Sequence, residues 1–348
     1  MTETDIKSMN AAELKEYVVS QGLPAYRAAQ IYEWLHKKLV SDWDGMSNVP
    51  KTLREKLAEN TKFTKLKTLA CLSSEKDGTK KYLFGLGDGN AIESVFMKYK
   101  HGNSVCISSQ VGCRMGCRFC ASTLGGLIRN LTSAEMLEQI YEITRQCGER
   151  ISNIVVMGSG EPFDNFDSLL KFIEMITDEH GLNISRRNIT VSTCGLVPEI
   201  RRLADINPGI TLAVSLHAYN DEKRKEIMPV ANKYSIDEIK KACLYYFEKT
   251  GRRVSFEYSL ISGVNDSEAD AKELAKTLAG MGAHVNLIPV NPVKERDFKR
   301  SNIKNVLHFQ QILEKYGINA TIRRELGSDI DAACGQLRRS YEKGELEK

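Results

Sequence analysis

No apolar run in this 348-residue chain approaches the ~20 residues that a helix needs to cross a bilayer. The start, MTETDIKSMNAAELKEYVV, lacks the charged head and continuous apolar stretch of a secretory leader, so the cytoplasm is the expected compartment and no membrane partner is expected. An excess of one charge is also missing. A formal net charge of +4 is compatible with a polyanionic partner without requiring one. Neither sequence repeats nor low-complexity tracts occur. With 42% hydrophobic and 27% charged residues, what remains is a globular chain long enough for one large core with a small appendage.

Three patterns follow one another along the chain. Over residues 1–70, AAELKEYVVSQG, YRAAQIYEWLHKKL and PKTLREKLAENT carry apolar residues at helical spacing and are separated by Gly22-Leu23-Pro24 and Asn48-Val49-Pro50. They read as a small all-α accessory domain. Over 71–100 the period changes to alternation, KKYLFGL and AIESVFMKY around Gly87-Asp88-Gly89-Asn90, which reads as a β-hairpin extension. Over 101–340, six strand-like runs (SVCISS, SNIVVMG, NITVSTCG, ITLAVSLH, RVSFEYSLI and HVNLIPV) alternate with amphipathic helices. That rhythm predicts an α/β core with a parallel sheet, best satisfied by a partial (β/α) barrel of TIM type whose functional residues gather where strands end. The charged tail over 341–348 reads as frayed.

The nine cysteines are spaced for a cofactor rather than for a disulfide framework. Cys113, Cys117 and Cys120 fall within eight residues, directly after a predicted strand, and no second close Cys or His pair follows. A structural zinc site wants four protein ligands. Three thiolates instead suit an iron–sulfur cluster with one iron left open, although a zinc ion completed by Cys106 or a distant side chain fits the same spacing. The loop Met157-Gly158-Ser159-Gly160-Glu161-Pro162 would let backbone approach a ligand closely, or would merely turn the chain. Cys334, between Ala333 and Gly335, reads by itself first as a small buried hydrophobe, although Gly335 gives the backbone freedom to bring the sulfur into a site.

Cys-x3-Cys-x2-Cys with Phe119 before the last cysteine resembles the signature of the radical S-adenosylmethionine (radical SAM) superfamily. SVCISSQVGCRMGCRFCAST, NIVVMGSGEPFDN, VSTCG, AVSLHA, NLIPVNP and SDIDAACGQLR, collinear from about Glu93 to Arg338, together resemble the RlmN family of RNA methyltransferases. The resemblance implies a radical SAM barrel holding one 4Fe-4S cluster on Cys113, Cys117 and Cys120. It implies S-adenosylmethionine contacts from Gly160, Glu161, Ser192, Ser215, Leu216, His217 and Asn291, with two cofactor molecules consumed per methylation. The implied substrates are C2 of an adenine in 23S rRNA and of an anticodon-loop adenine in some tRNAs. The implied partners are those RNAs and an electron donor such as flavodoxin or ferredoxin.

The resemblance also gives roles to scattered residues. Carbon 2 of adenine lies between two ring nitrogens and is electron-poor, so it cannot act as the nucleophile in an ordinary methyl transfer. In the resembled route Cys334 takes up the methyl as S-methylcysteine, a radical from a second cofactor activates it, and the carbon adds to the base. Cys106 then attacks the Cys334 sulfur in a transient disulfide that frees the product, and Glu93 accepts the C2 proton. A related family of C8 methyltransferases shares the cluster and both cysteines. Val111 and Pro162 stand where that pattern has cysteine and alanine, which favours C2. A non-catalytic metal-binding RNA protein is the rival from another class. Ser159 stands where many of the resembled family carry methionine.

Overall fold

The computed structural model describes residues 4–293, 295–330, 336–342 and 344. The N-terminal segment holds three short helices, α1 (Ala11–Ser20), α2 (Tyr26–His36) and α3 (Lys51–Asn60). Asn10 starts α1 through a capping box: its side chain accepts from the Glu13 amide, and the Glu13 carboxylate accepts from the Asn10 amide. Leu14 and Val18 of α1, and Ile31, Tyr32 and Leu35 of α2, recur at helical spacing and are buried.

Helical structure ends sooner than expected, because Lys67–Ser73 is already a strand, β1. No residue of its KTLACLS is fully buried, so it carries no alternation to read. The expected hairpin forms from β2 (Lys80–Gly85) and β3 (Ala91–Tyr99), and β1 adds to it antiparallel. Next, β4 (Gly102–Cys106) pairs antiparallel with β3. A separate two-stranded sheet, β5 (Gln110–Gly112) and β6 (Leu127–Asn130), brackets the cysteine segment, and α4 (Ser133–Cys147) follows.

The remaining elements alternate: β7 (Ile151–Val156), α5 (Phe166–Ile176), β8 (Ile189–Thr193), α6 (Val197–Ile206), β9 (Thr211–Ser215), α7 (Asp221–Ile227) and α8 (Ile236–Thr250). After them come β10 (Ser255–Leu260), α9 (Glu268–Leu278), β11 (His284–Pro289), α10 (Ile303–Lys315), β12 (Asn319–Ile322) and α11 (Gln336–Glu342). Because β4 pairs parallel with β7, the hairpin extension is continuous with the main sheet. Ten strands form one sheet in the order β1-β2-β3-β4-β7-β8-β9-β10-β11-β12, parallel from β4 onward. Its first and last strands do not pair among the described residues, so the barrel is partial. The sequence pattern did not disclose α6 and β12, since α6 buries only Ile200, Leu203 and Ala204, and four-residue β12 buries only Ala320.

Two sets of contacts hold the ends of this sheet in place. On the helical side, Lys7 is buried in an ion pair with Glu138 of α4, and the other Glu138 oxygen takes Arg145 Nη2 at 2.7 Å. His36 Nδ1 lies 2.9 Å from the Tyr141 hydroxyl beside them. At the other end, Ser74 Oγ donates to Asp329 at 2.7 Å and the Gly327 amide donates to Asp77 at 2.9 Å, which ties the chain after β12 to the β1–β2 turn. Leu337 of α11 then packs with Leu83 and Ala91, and the Arg338 amide donates to Glu93 Oε1 at 2.6 Å. Tyr341 and Glu342, expected in a frayed tail, belong to α11.

Candidate active site

A cavity of about 370 Å³ lies where the parallel strands end, as a barrel dictates. Cys106 closes β4, Ser192 and Thr193 close β8, Ser215 closes β9, and Arg323 follows β12; all line the cavity. Cys113, Cys117, Cys120, Glu93, Gly160, Glu161, His217 and Asn291 line it too, so residues as far apart in sequence as Glu93 and Arg323 converge on one space. Leu216 does not join them. Its side chain sits in the main core, its amide donates to the Glu257 carbonyl at 3.0 Å, and its carbonyl accepts from Arg224 Nε at 3.1 Å. Cys334 lies outside the described residues.

The cysteine loop is shaped by β5 and β6. Gly112, at φ +77°, lies so close to Gly126 that an added Cβ would sit 2.0 Å from its carbonyl oxygen, and the Cys113 amide donates to that oxygen at 2.9 Å. Phe119 meets the His217 ring edge to face at 4.9 Å. The Ser259 amide donates to His217 Nδ1 at 2.9 Å, which leaves the proton on Nε2. Burial, with Arg224 adding to it, pulls His217 down to about 3, so the ring stays neutral.

The 157–162 loop is equally constrained. Gly160 has φ +111°, and a Cβ there would meet Gln110 Cβ at 2.6 Å. Its neighbour Glu161 is buried and accepts from the Phe163 and Cys194 amides at 3.0 and 2.7 Å. Burial pushes its carboxyl up, and these hydrogen bonds work against that rise. The Ser159 hydroxyl lies 3.1 Å from that of Ser122, just past Cys120, so this departure from the resembled family braces the cluster segment.

On the opposite wall, Glu93 is buried, with Oε2 3.2 Å from the Nζ of fully buried Lys81. Lys81 is thus an interior partner of Glu93. Burial pushes the Cys106 thiol up, while Arg323 and the Met157 amide pull the other way. Two polar residues of the site went unremarked in the sequence. Arg224 is fully buried and donates to the carbonyls of Leu216, Tyr234, Cys194 and Ser215. Glu257 of β10 is 4% exposed and lines the cavity. Its signal was the alternation Ser255, Glu257, Ser259, which assigns one face to all three.

Comparison with known proteins bears directly on this site. The Radical SAM superfamily model matches residues 107–275, and the model of the ribosomal RNA large subunit methyltransferase N-terminal domain matches residues 4–63. A probable dual-specificity RNA methyltransferase RlmN of Lachnoclostridium phytofermentans is 62% identical over 337 residues, 97% of this chain and 95% of that protein. The chain belongs to the RlmN family. Its RlmN relative in Lachnospira eligens is 60% identical, covering 97% of both chains. A crystal structure of a radical SAM methyltransferase from Sphaerobacter thermophilus matches this RlmN-family chain with a TM-score of 0.92 at 45% identity, over 96% of this chain and 98% of that one. The fold is therefore the radical SAM fold.

Membership of the radical SAM superfamily implies an iron–sulfur cluster and S-adenosylmethionine. The residues fit. Cys113, Cys117 and Cys120 offer soft sulfur donors on one cavity wall, and burial pushes their thiols up, Cys113 to about 12, a cost that a bound cation would reverse. No group of three or more His, Cys, Asp or Glu side chains among the described residues gathers around a single metal ion. The eight described cysteines are free thiols, and none forms a disulfide. No described helix is long and apolar enough to cross a membrane.

Proposed function

We propose that this chain is a radical SAM RNA methyltransferase that methylates C2 of an adenine in 23S rRNA and of an anticodon-loop adenine in some tRNAs. The observation that carries the reading is the convergence of Cys113, Cys117, Cys120, Cys106 and Glu93 on one cavity with six of the seven expected cofactor contacts. The cluster and cofactor, when bound, supply a methyl group and the one-electron chemistry that activates it. Cys113, Cys117 and Cys120 hold the cluster. Gly160 opens space for the cofactor's amino end beside Glu161, while Ser192, Ser215, His217 and Asn291 orient the rest. Only the main chain of Leu216 is left to serve, since its side chain is packed in the core.

Cys334 carries the methyl. Support comes from its flanks, because Asp329 before it is bonded to Ser74 and Arg338 after it to Glu93. The S-methyl group would first lose one hydrogen atom to the radical that the cofactor supplies, its carbon would then bond to C2 of the base and link RNA to protein, and the unpaired electron left on the adduct would return to the cluster. Glu93 takes the C2 proton, and Lys81 keeps that carboxylate oriented. Cys106 then loses its own proton and attacks the Cys334 sulfur; the sulfur–carbon bond breaks with its electron pair on carbon, that carbon takes a proton to complete the methyl group, the methylated RNA leaves, and a thiol reductant reduces the disulfide afterwards. The helical segment over 1–70 serves as an RNA-binding accessory domain, and the protein works in the cytoplasm with an electron donor such as flavodoxin or ferredoxin.

Anaerobic reconstitution tests this reading. Four irons per chain and reductant-dependent cleavage of S-adenosylmethionine support it; stoichiometric zinc without cleavage would leave a metal-binding RNA protein instead.

A further inference from the structure

Four carboxylates line the cavity besides backbone groups: Glu93, Glu161, Glu257 and Glu325. Three are committed. Glu93 faces Lys81 and the Arg338 amide, Glu161 takes two backbone amides, and Glu325 is paired with Arg300 at 2.8 Å. Glu257 differs. It is 4% exposed, it forms no salt bridge among the described residues, and the hydrogen bonds its oxygens receive from them are the Asn286 amide at 2.9 Å and a long 3.3 Å contact from the Ser255 hydroxyl. A buried carboxylate with so few hydrogen-bond donors is costly, and in a cavity it marks a place where a ligand supplies a further donor.

The sheet says which donor. Glu257 sits in register with Ser215 on β9 and Asn286 on β11, between the strand that ends at the expected cofactor contact Ser215 and the strand that Asn291 follows. Burial pushes the Glu257 carboxyl up and Arg323, just past β12, works against that rise; Glu257, Arg323 and Cys106 line the same cavity. A carboxylate with an adjacent amide is an acceptor for N–H groups. Adenine presents an exocyclic amine there, whereas guanine presents a carbonyl oxygen that the carboxylate would repel. We infer that Glu257 is the hydrogen-bond acceptor for the exocyclic amine of an adenine held in this cavity. The inference rests on the proposed function for the presence of adenine, which can come from the RNA or from S-adenosylmethionine.

The test uses the full chain and two RNA hairpins that differ only at the target position, adenosine in one and purine riboside, which lacks the amine, in the other. Dissociation constants are measured for both hairpins, and also for S-adenosylmethionine and its amine-free purine analogue. Loss of a hydrogen bond to a charged group corresponds to roughly 10- to 100-fold weaker binding. The wild type is expected to favour the amine-bearing member of one pair by that factor, and Glu257→Ala to lose the preference. Loss in the RNA pair assigns the amine to the substrate; loss in the cofactor pair assigns it to S-adenosylmethionine. Glu257→Gln keeps the side-chain volume and one acceptor oxygen, so it is expected to bind with an intermediate preference and to melt like the wild type. Unchanged preference in both pairs for Glu257→Ala would overturn the inference. These are binding readouts, so they stand even if the wild type methylates neither hairpin, a result that would count against the proposed function alone.

Discussion

At Cys106, environment and chemistry pull in opposite directions. Burial keeps the thiol protonated, yet the proposed release step needs the thiolate. Raising the pH toward the elevated value increases the thiolate fraction, so decay of the RNA–protein adduct should accelerate from pH 7 to pH 9 when followed by quenched denaturing gels. A flat profile would remove Cys106 from that step, as would normal turnover by Cys106→Ala, which is expected instead to accumulate cross-linked RNA. Gly160→Ala should weaken S-adenosylmethionine binding more than about tenfold by equilibrium dialysis, because the new Cβ would press on Gln110 at 2.6 Å from a backbone at φ +111°. At this scale the sequence was most informative where chemistry is local, since three cysteines in eight residues announce themselves. Glu257 and Lys81 were silent, because their burial depends on strand register and on what lies across the barrel.

Among the elements, α4 and the β5–β6 pair matter most for placing the site. Glu138 of α4 is completely buried between Lys7 and Arg145. Glu138→Gln strands Lys7 in the interior, and unfolding by urea should show a loss of about 3–5 kcal/mol. A change below about 0.5 kcal/mol, the range typical of surface substitutions, would mean that the pair does not anchor the N-terminal helices. Gly112→Ala should lower the iron retained per chain after reconstitution, since its Cβ cannot coexist with the Gly126 carbonyl where it stands. Strong periodicity made the long helices readable in sequence, and α4 shows why: a Thr132 and Glu135 capping box opens it, and Gly148 at φ +65° ends it. The strand-like run SVCISSQVG gave no sign of dividing into β4 and β5, because the break follows from packing against the 157–160 loop, where the Gly158 amide donates to the Ile107 carbonyl at 2.9 Å.

Across the whole molecule, the open sheet depends on the segment after β12 reaching back to the β1–β2 turn. Asp77 takes part in that contact. Slight burial would raise its carboxyl, but hydrogen bonds from Thr79 and Gly327 prevail and bring it down to about 2. A depressed folded value means that the contact is fully supported above the ordinary carboxylate range and lost as pH falls through about 2. Hydrogen-exchange protection of the Gly327 amide should therefore drop between pH 4 and pH 2, and constant protection would show that Asp77 does not hold it. Strand and helix alternation made the partial barrel legible from sequence, whereas the continuity of ten strands and the return of the chain to Glu93 required the three-dimensional register. The central claim is that this cavity places a methyl on carbon 2 of adenine. Mass spectrometry of 23S rRNA and tRNA treated with the reconstituted protein tests it most directly: the account predicts 2-methyladenosine, and methyl at C8, or none from protein that cleaves S-adenosylmethionine, would contradict it.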